Sequence, residues 1–356
     1  MPRISVLIPA HNCAPYVETA VQSVLDQSYR DIEVIVADDG STDGTWRILE
    51  RVAHRDSRVI LIRNERNLGR ARTPNLLIKA ARGEYVARLD ADDVALPHRL
   101  EHQLRFMEEH GLTLSGTWLR TLGLPHNYVL TFPVTDMEIR AYLLFQSPFA
   151  QNTIMARREL LLRHPYRPEA GYAEDYDLWV RISADARMGN LPDPLVLYRQ
   201  HPSQASIAHA REQWDDAKRA RRLALDLLGP PATDGEKAVH ERIRYPASIS
   251  SRKELKEMES WLRRLAVHFE REPAAARVVA RQWLHVCLRA GTLGPWAAWT
   301  FLRSPLRRAG ASAMEAALVA GVCCLHIRYR SRFYDWLLGA VLSSGLVNPG
   351  KAGMAA

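Results

Sequence analysis

Cysteine is scarce, with four in 356 residues, at Cys13, Cys287, Cys323 and Cys324. None has metal-ligand or redox spacing, which excludes a disulfide framework and fits a reducing compartment. Long apolar runs are missing too. No stretch reaches the roughly 18 uninterrupted apolar residues of a membrane span. No basic-then-apolar leader precedes the first strand-like run after Met1-Pro2-Arg3, so no secretory signal is expected, and the expected location is cytoplasmic. No internal repeat or long low-complexity tract is visible. No Gly-x-Gly-x-x-Gly follows the first strand, which excludes a dinucleotide-dependent dehydrogenase. No aromatic–basic reading motif is present, so a nucleic-acid partner is not expected.

What is present is a globular composition, 47% hydrophobic and 25% charged, in a chain long enough to bury a large core. The charge is uneven. Residues 1–209 carry net −2 and residues 210–356 carry net +10. A domain boundary is therefore expected near 209, with a basic, mainly helical accessory region after it. A basic segment favours polyanionic partners or is simply a solvated helical surface.

The first 93 residues alternate short β-rich runs with amphipathic ones. Residues 4–8, 32–37, 59–62 and 84–89 read as strands. Residues 16–25, 45–53 and 70–81 carry apolar positions at helical spacing. Such alternation implies an α/β fold with βαβ units and a mostly parallel central sheet. Further helices are expected at 97–110, 136–145 and 174–184, and strands at 112–118, 128–132 and 194–198.

Ligands of parallel sheets sit at the carboxyl ends of the strands, and there this sequence concentrates carboxylates. Asp90-Ala91-Asp92-Asp93 follows the fourth strand. Three carboxylates in four residues suit a hard cation that keeps room for phosphate oxygens, or serve as a helix cap. Asp38-Asp39-Gly40-Ser41-Thr42-Asp43-Gly44 follows the second strand. Its carboxylates can accept from a base N–H, or it is an ordinary capped loop. Glu174-Asp175-Tyr176-Asp177 opens a helix. It offers a base for a hydroxyl, or compensates the helix dipole. Tyr198-Arg199-Gln200-His201 offers a cation and an imidazole for phosphate or metal, where a lone His is more often structural.

Taken together, these residues resemble glycosyltransferase family 2, enzymes of the GT-A fold. The resemblance runs from about residue 4 to 206. It includes SVLIPAHN, DDGSTDGT, NLGRARTPN…ARGEYVARLDADD, EDYDLWVR and LYRQHPSQAS. It implies an inverting transferase moving a sugar from a nucleoside diphosphate donor, a UDP-sugar by expectation, to an acceptor hydroxyl with Mg²⁺ or Mn²⁺. The setting implied is polysaccharide, lipopolysaccharide or other glycoconjugate biosynthesis. Pro9, Ala10 and Asn12 would flank the nucleotide pocket. Asp39 would contact the base, with Asp38 nearby, and Asn67 and Arg70 would approach the nucleotide. Asp90 and Asp92 would form the metal site, completed by His201. Ala91 and Asp93 would lie against the donor, and Arg199 against the diphosphate. Asp175 would be the catalytic base, assisted by Glu174.

Departures from the family pattern are His11 where Tyr is usual, and Gln151-Asn152-Thr153 where a His-Pro-Thr type segment is common. The Gln-x-x-Arg-Trp motif of processive synthases is absent, which favours single transfer. A non-catalytic nucleotide-sugar-binding or scaffold protein on the same fold is the main alternative. A nucleotidyltransferase would need a Gly-rich basic loop where Pro9-Ala10-His11-Asn12 stands.

The tail lies outside the resemblance. It holds Trp261, Trp283, Trp296, Trp299 and Trp336 among many arginines, and residues 311–327 and 333–347 are apolar but short. Two arrangements fit: helices packing Trp and Leu inward, or a peripheral contact with the inner membrane face that would suit a lipid-linked acceptor.

Overall fold

The structure is a computed structural model and describes residues 1–124, 127–201, 209–245 and 247–334. The chain forms two compact units. One is Met1–Asp136 with Ser147–Ala220; the other is Met137–Gln146 with the chain from Arg221 onward.

The first unit begins as β1 (Ile4–Ala10), α1 (Val17–Leu25), β2 (Ile32–Asp39), α2 (Thr45–Arg55), β3 (Val59–Asn64), α3 (Arg72–Ala80) and β4 (Tyr85–Arg88). The strands lie in the order β3-β2-β1-β4 and are all parallel. β1 and β2 are buried on both faces, Val6, Ile8, Val34 and Val36 on one and Leu7 and Ile35 on the other, as strands covered by helices on both sides must be, whereas the edge strand β3 is only partly buried. The register sets Ala10 level with Asp38, and Asp39 level with Asn64. The loops that follow β1, β2 and β3 therefore open at one edge.

The later elements are β5 (Val94–Ala95), α4 (Arg99–His110), β6 (Leu114–Leu122), β7 (Val129–Leu130), α5 (Asp136–Leu143), β8 (Met155–Arg157), α6 (Arg158–Arg163), α7 (Glu174–Ile182) and β9 (Met188–Arg199). β8 joins β4 antiparallel, and β6, β9 and β5 continue the sheet, which has nine strands among the described residues. The sheet is thus parallel on one side and mixed on the other. β9 starts six residues before the strand expected from sequence. Pro192 and Pro194 give the ladder no N–H, and the register against β6 shifts near Trp118 and Pro194, the accommodation a bulge provides. The three-residue β8 and two-residue β5 are too short to carry a periodic signal.

The second unit is helical: α8 (Ala210–Leu228, which begins in the first unit), α9 (Asp234–Arg244), α10 (Arg252–His268), α11 (Pro273–Arg289), α12 (Pro295–Arg303), α13 (Pro305–Gly310) and α14 (Ala313–Cys324). α10 buries Leu255, Met258, Leu262 and Leu265, a stripe at three- and four-residue spacing. α11 buries Val279, Trp283, Val286 and Cys287. Trp261 Nε1–H donates to His240 Nδ1 at 3.0 Å, and His240 Nε2 lies 2.7 Å from the Leu144 carbonyl. The ring is therefore neutral with its proton on Nε2, and burial lowers its pKa to about 4. The tail's tryptophans divide between the two expected arrangements. Trp261 and Trp283 pack inward, whereas Trp299 is 54% exposed. Trp336 and residues 335–347 lie outside the described residues. All four cysteines are free, and no described helix is long and apolar enough to cross a membrane.

Candidate active site

The loop after β1 is tied to the loop after β2. Asn12 takes a left-handed conformation, φ 51°, which Asn tolerates better than most residues. Its backbone N–H donates to Ser41 Oγ at 2.9 Å, and its side-chain carbonyl accepts from the Thr42 N–H at 2.9 Å. Asp43 joins the same two loops by accepting from the Ala14 and Thr45 N–H groups. Pro9 lines a small cleft with Pro74, Arg88 and Tyr166, and Ala10 is buried at the end of β1.

Asp38 and Asp39 are both buried. Asp39 Oδ1 accepts from Asn64 Nδ2 at 2.8 Å and from the Leu68 N–H at 2.9 Å, and Oδ2 accepts from the Gly69 N–H at 3.0 Å. The carboxylate expected to meet a nucleobase thus also shapes the 67–70 loop, and it keeps lone-pair capacity on Oδ2. Asp38 Oδ2 has no hydrogen-bond partner and lies 3.9 Å from Arg63. Gly40, at φ +71°, passes so close to the same loop that a Cβ would lie 2.5 Å from the Arg66 carbonyl carbon. Asn67 is exposed on that loop.

From this loop Arg70 reaches α7. Its Nε donates to Glu174 Oε1 at 2.9 Å, and its guanidinium lies 6.0 Å from the Tyr172 ring. Glu174 is fully buried and its Oε2 has no partner. Burial pushes its pKa up to about 7, against the pull of Arg70. Asp175 Oδ1 accepts from the Tyr176 N–H at 2.7 Å. Burial raises its pKa as well, opposed by Arg70, by the Tyr176 N–H and by Arg88. Asp177, the third acid of the turn, is neutralised by Arg181 at 2.8 Å and stands apart in role.

The turn after β4 completes the cluster. Arg88 Nη2 lies 3.3 Å from Asp90 Oδ1, and the fields of Asp90, Glu174 and Asp175 all act on Arg70. Acids from two regions of the chain therefore surround one pair of arginines. Asp92 Oδ2 lies 3.0 Å from His201 Nε2. Asp93 is buried and accepts from the Arg199 N–H at 2.8 Å and from Asn152 Nδ2. The Arg199 side chain donates to the Asp92 carbonyl and lies 4.9 Å from the Tyr16 ring. Ala91 is buried beneath this turn.

Of the expected metal trio, Asp92 and His201 meet, while Asp90 faces Arg88. Among the described residues, no three His, Cys, Asp or Glu side chains assemble a complete cage. The donor set still suits a hard cation that uses one or two carboxylates and fills its shell with phosphate oxygens and water. Arg88, Tyr16 and Asn152 were missed from sequence. The only signal for Arg88 was a charged residue ending an otherwise apolar strand, and Asn152 showed only as a departure from the family pattern.

This sheet, with its acidic strand-end loops, defines a transferase of the GT-A class. The description "Glycosyl transferase family 2" matches residues 5–163. An uncharacterized glycosyltransferase of Haemophilus influenzae is 32% identical over 234 residues, covering 62% of this chain and 72% of the relative. The UDP-Glc:alpha-D-GlcNAc-diphosphoundecaprenol beta-1,3-glucosyltransferase WfaP of Escherichia coli is 32% identical over 219 residues, covering 60% of this chain and 83% of WfaP. The crystal structure of S. aureus TarS 1-349 in complex with UDP-GlcNAc is similar in fold, with TM-score 0.53 and 20% identity over 91% of this chain and 90% of that one. The chain belongs to glycosyltransferase family 2 and is a glycosyltransferase.

Proposed function

We propose that the protein transfers a sugar from a UDP-sugar to the hydroxyl of a lipid-linked or other glycan acceptor with inversion at the anomeric carbon, in the synthesis of a polysaccharide, lipopolysaccharide or related glycoconjugate. WfaP supports the donor and acceptor classes, since its name gives UDP-Glc and a diphosphoundecaprenol-linked sugar. The observation that carries the reading is the Arg70–Glu174 contact at 2.9 Å. It links the loop organised by Asp39 to the helix that bears Asp175, so one side would hold the nucleotide and the other would meet the acceptor.

In this reading the 67–70 loop and Asp39 hold the base, and Asn12, Arg70 and Arg199 orient the rest of the nucleotide. Asp93, fixed by Asn152 and the Arg199 N–H, positions the donor sugar. Asp90, Asp92 and His201 would hold Mg²⁺ or Mn²⁺, which supplies Lewis-acid neutralisation of the departing diphosphate. Asp175 Oδ1 is anchored by its own helix, which leaves Oδ2 to take the proton of the acceptor hydroxyl. A buried carboxylate with a raised pKa is a stronger base, and Arg70 and Arg88 keep it ionised. One displacement turns an α-linked donor into a β-linked product. Residues 210–356 act as a basic accessory region to this 1–209 catalytic region.

A panel of nucleotide sugars with Mg²⁺ or Mn²⁺, scored by thermal shift and then by transfer, tests the reading. A UDP-sugar should stabilise the protein and be consumed in the presence of acceptor. Binding without any turnover would favour a scaffold, and indifference to all donors would overturn the proposal.

A further inference from the structure

α12, PWAAWTFLR, buries Ala297, Ala298, Thr300 and Phe301. Its other side carries Pro295, Trp299, Leu302 and Arg303, all exposed, with Trp296 half-buried. Trp299 and Leu302 are 54% and 47% exposed, a large apolar area to leave in water on a nine-residue helix. Each indole is covered by a cation. The Arg303 guanidinium lies 4.8 Å from the Trp299 ring, and Arg252 and Lys256 of α10 lie 5.0 and 6.0 Å from the Trp296 ring. Among the described residues none of these three cations has a carboxylate at ion-pair distance. From residue 273 to 334 the chain has nine arginines and one carboxylate, Glu315, which is held by Arg281 at 2.6 Å.

We propose that the Trp296–Trp299–Leu302 face of α12, with Arg252, Lys256 and Arg303, seats the protein on an anionic phospholipid bilayer. Indole rings suit the headgroup boundary, where the ring meets acyl chain and the N–H meets water or phosphate. Cations stacked over those rings are already placed for the phosphates of an anionic surface. The helix is too short to span a membrane and suits lying in its plane. A second copy of the chain fits this face poorly, because pairing it with itself opposes three unneutralised cations. A nucleic acid would use the charges but give Leu302 nothing to bury against. The inference gives the lipid-linked acceptor of the proposed function a place to be met. Vesicle binding is measured without donor or acceptor, so a failed transfer assay leaves it standing.

The test is co-sedimentation of the full chain with vesicles of phosphatidylcholine alone, or of phosphatidylcholine with phosphatidylglycerol, at low and high salt. Binding is expected to need phosphatidylglycerol, to weaken with salt, and to shift tryptophan emission to the blue. Trp299→Gln with Leu302→Gln should cut the bound-to-free ratio about tenfold or more, reflecting lost apolar burial. Arg303→Glu with Arg252→Glu should do the same while leaving the melting temperature unchanged. Three results would overturn the proposal: equal binding to neutral vesicles; wild-type vesicle binding by the Gln variant; or a concentration-dependent dimer that the Gln variant abolishes. Displacement from vesicles by single-stranded DNA, with the Gln variant still binding DNA and vesicles as wild type, would assign the face to nucleic acid instead.

Discussion

Arg70 Nε and Glu174 Oε1 stand 2.9 Å apart although 104 residues separate them in sequence. The glutamate is fully buried and the arginine's side chain is 41% exposed, so the charge facing solvent at this point is positive. The contact joins the loop shaped by Asp39 to the helix bearing Asp175.

Replacing Asp175 by Asn removes the proton acceptor and keeps the side-chain shape. Transfer is expected to fall about 10²–10⁴-fold, the usual worth of a general base. Donor affinity, by isothermal titration with UDP-sugar, should change little. Near-normal turnover would refute the assignment of the base.

The acid pair gives a pH dependence of definite sign. The pKa of Glu174 rises from 4.5 to about 7 on burial, and that of Asp175 also rises. Transfer needs Asp175 ionised, so kcat/KM should climb as pH rises through the raised pKa of that acid. Stability should move the other way. A carboxyl with a raised folded pKa favours the folded chain while neutral, so its contribution is complete below about 4.5 and is lost as pH rises through about 7. Glu174→Gln removes a like charge beside Asp175 and frees Arg70 to pair with it, so the midpoint of the kcat/KM profile should fall. An unmoved or raised midpoint would count against the coupling.

Gly40→Ala forces a side chain into a left-handed backbone and places a Cβ 2.5 Å from the Arg66 backbone. The backbone conformation alone costs about 1–2 kcal/mol, and the collision must also push the 66–70 loop. Denaturant titration should show a loss of at least that size, together with weaker UDP-sugar binding. Wild-type stability would mean the loops move apart freely.

Asn152→Ala leaves the buried Asp93 carboxylate short of one donor, a loss of about 1–3 kcal/mol if nothing replaces it. If Asp93 positions the donor sugar, the variant should raise the KM for UDP-sugar more than the Kd for free UDP. Equal effects on both would make the contact merely structural.

Chelation should abolish transfer, with Mg²⁺ or Mn²⁺ restoring it. His201→Ala should raise the metal concentration needed for half-maximal activity without moving donor KM at saturating metal. Full activity in excess chelator would remove the ion from the account.

Much of the first unit could be read from the chain itself. The first four strands are apolar runs, as strands covered by helices need, and acids follow the second and fourth of them, so the strand positions and the acidic edge both followed. Further along, the signal weakens for physical reasons. β5 and β8 have two and three residues, too few for any period. Prolines break the pattern of β9. Within the site, sequence offered the acids but not their partners. Nothing in the spacing showed that Arg181 would neutralise Asp177, or that Asp39 would bind the 67–70 loop. The pairing of Arg88 with Asp90 and of Asn152 with Asp93 depends on how β4, β8 and their loops fold together. In the tail, tryptophans at similar spacing gave no means of telling Trp283, which is buried, from Trp299, which is not.

The most direct test of the site is a comparison of UDP-sugar binding and transfer in Asp39→Asn, Asp90→Asn and Asp175→Asn. If these three side chains build one site, the first two should lose donor affinity and the third should bind donor yet fail to transfer. Wild-type donor binding in all three, or undiminished transfer in the third, would contradict it.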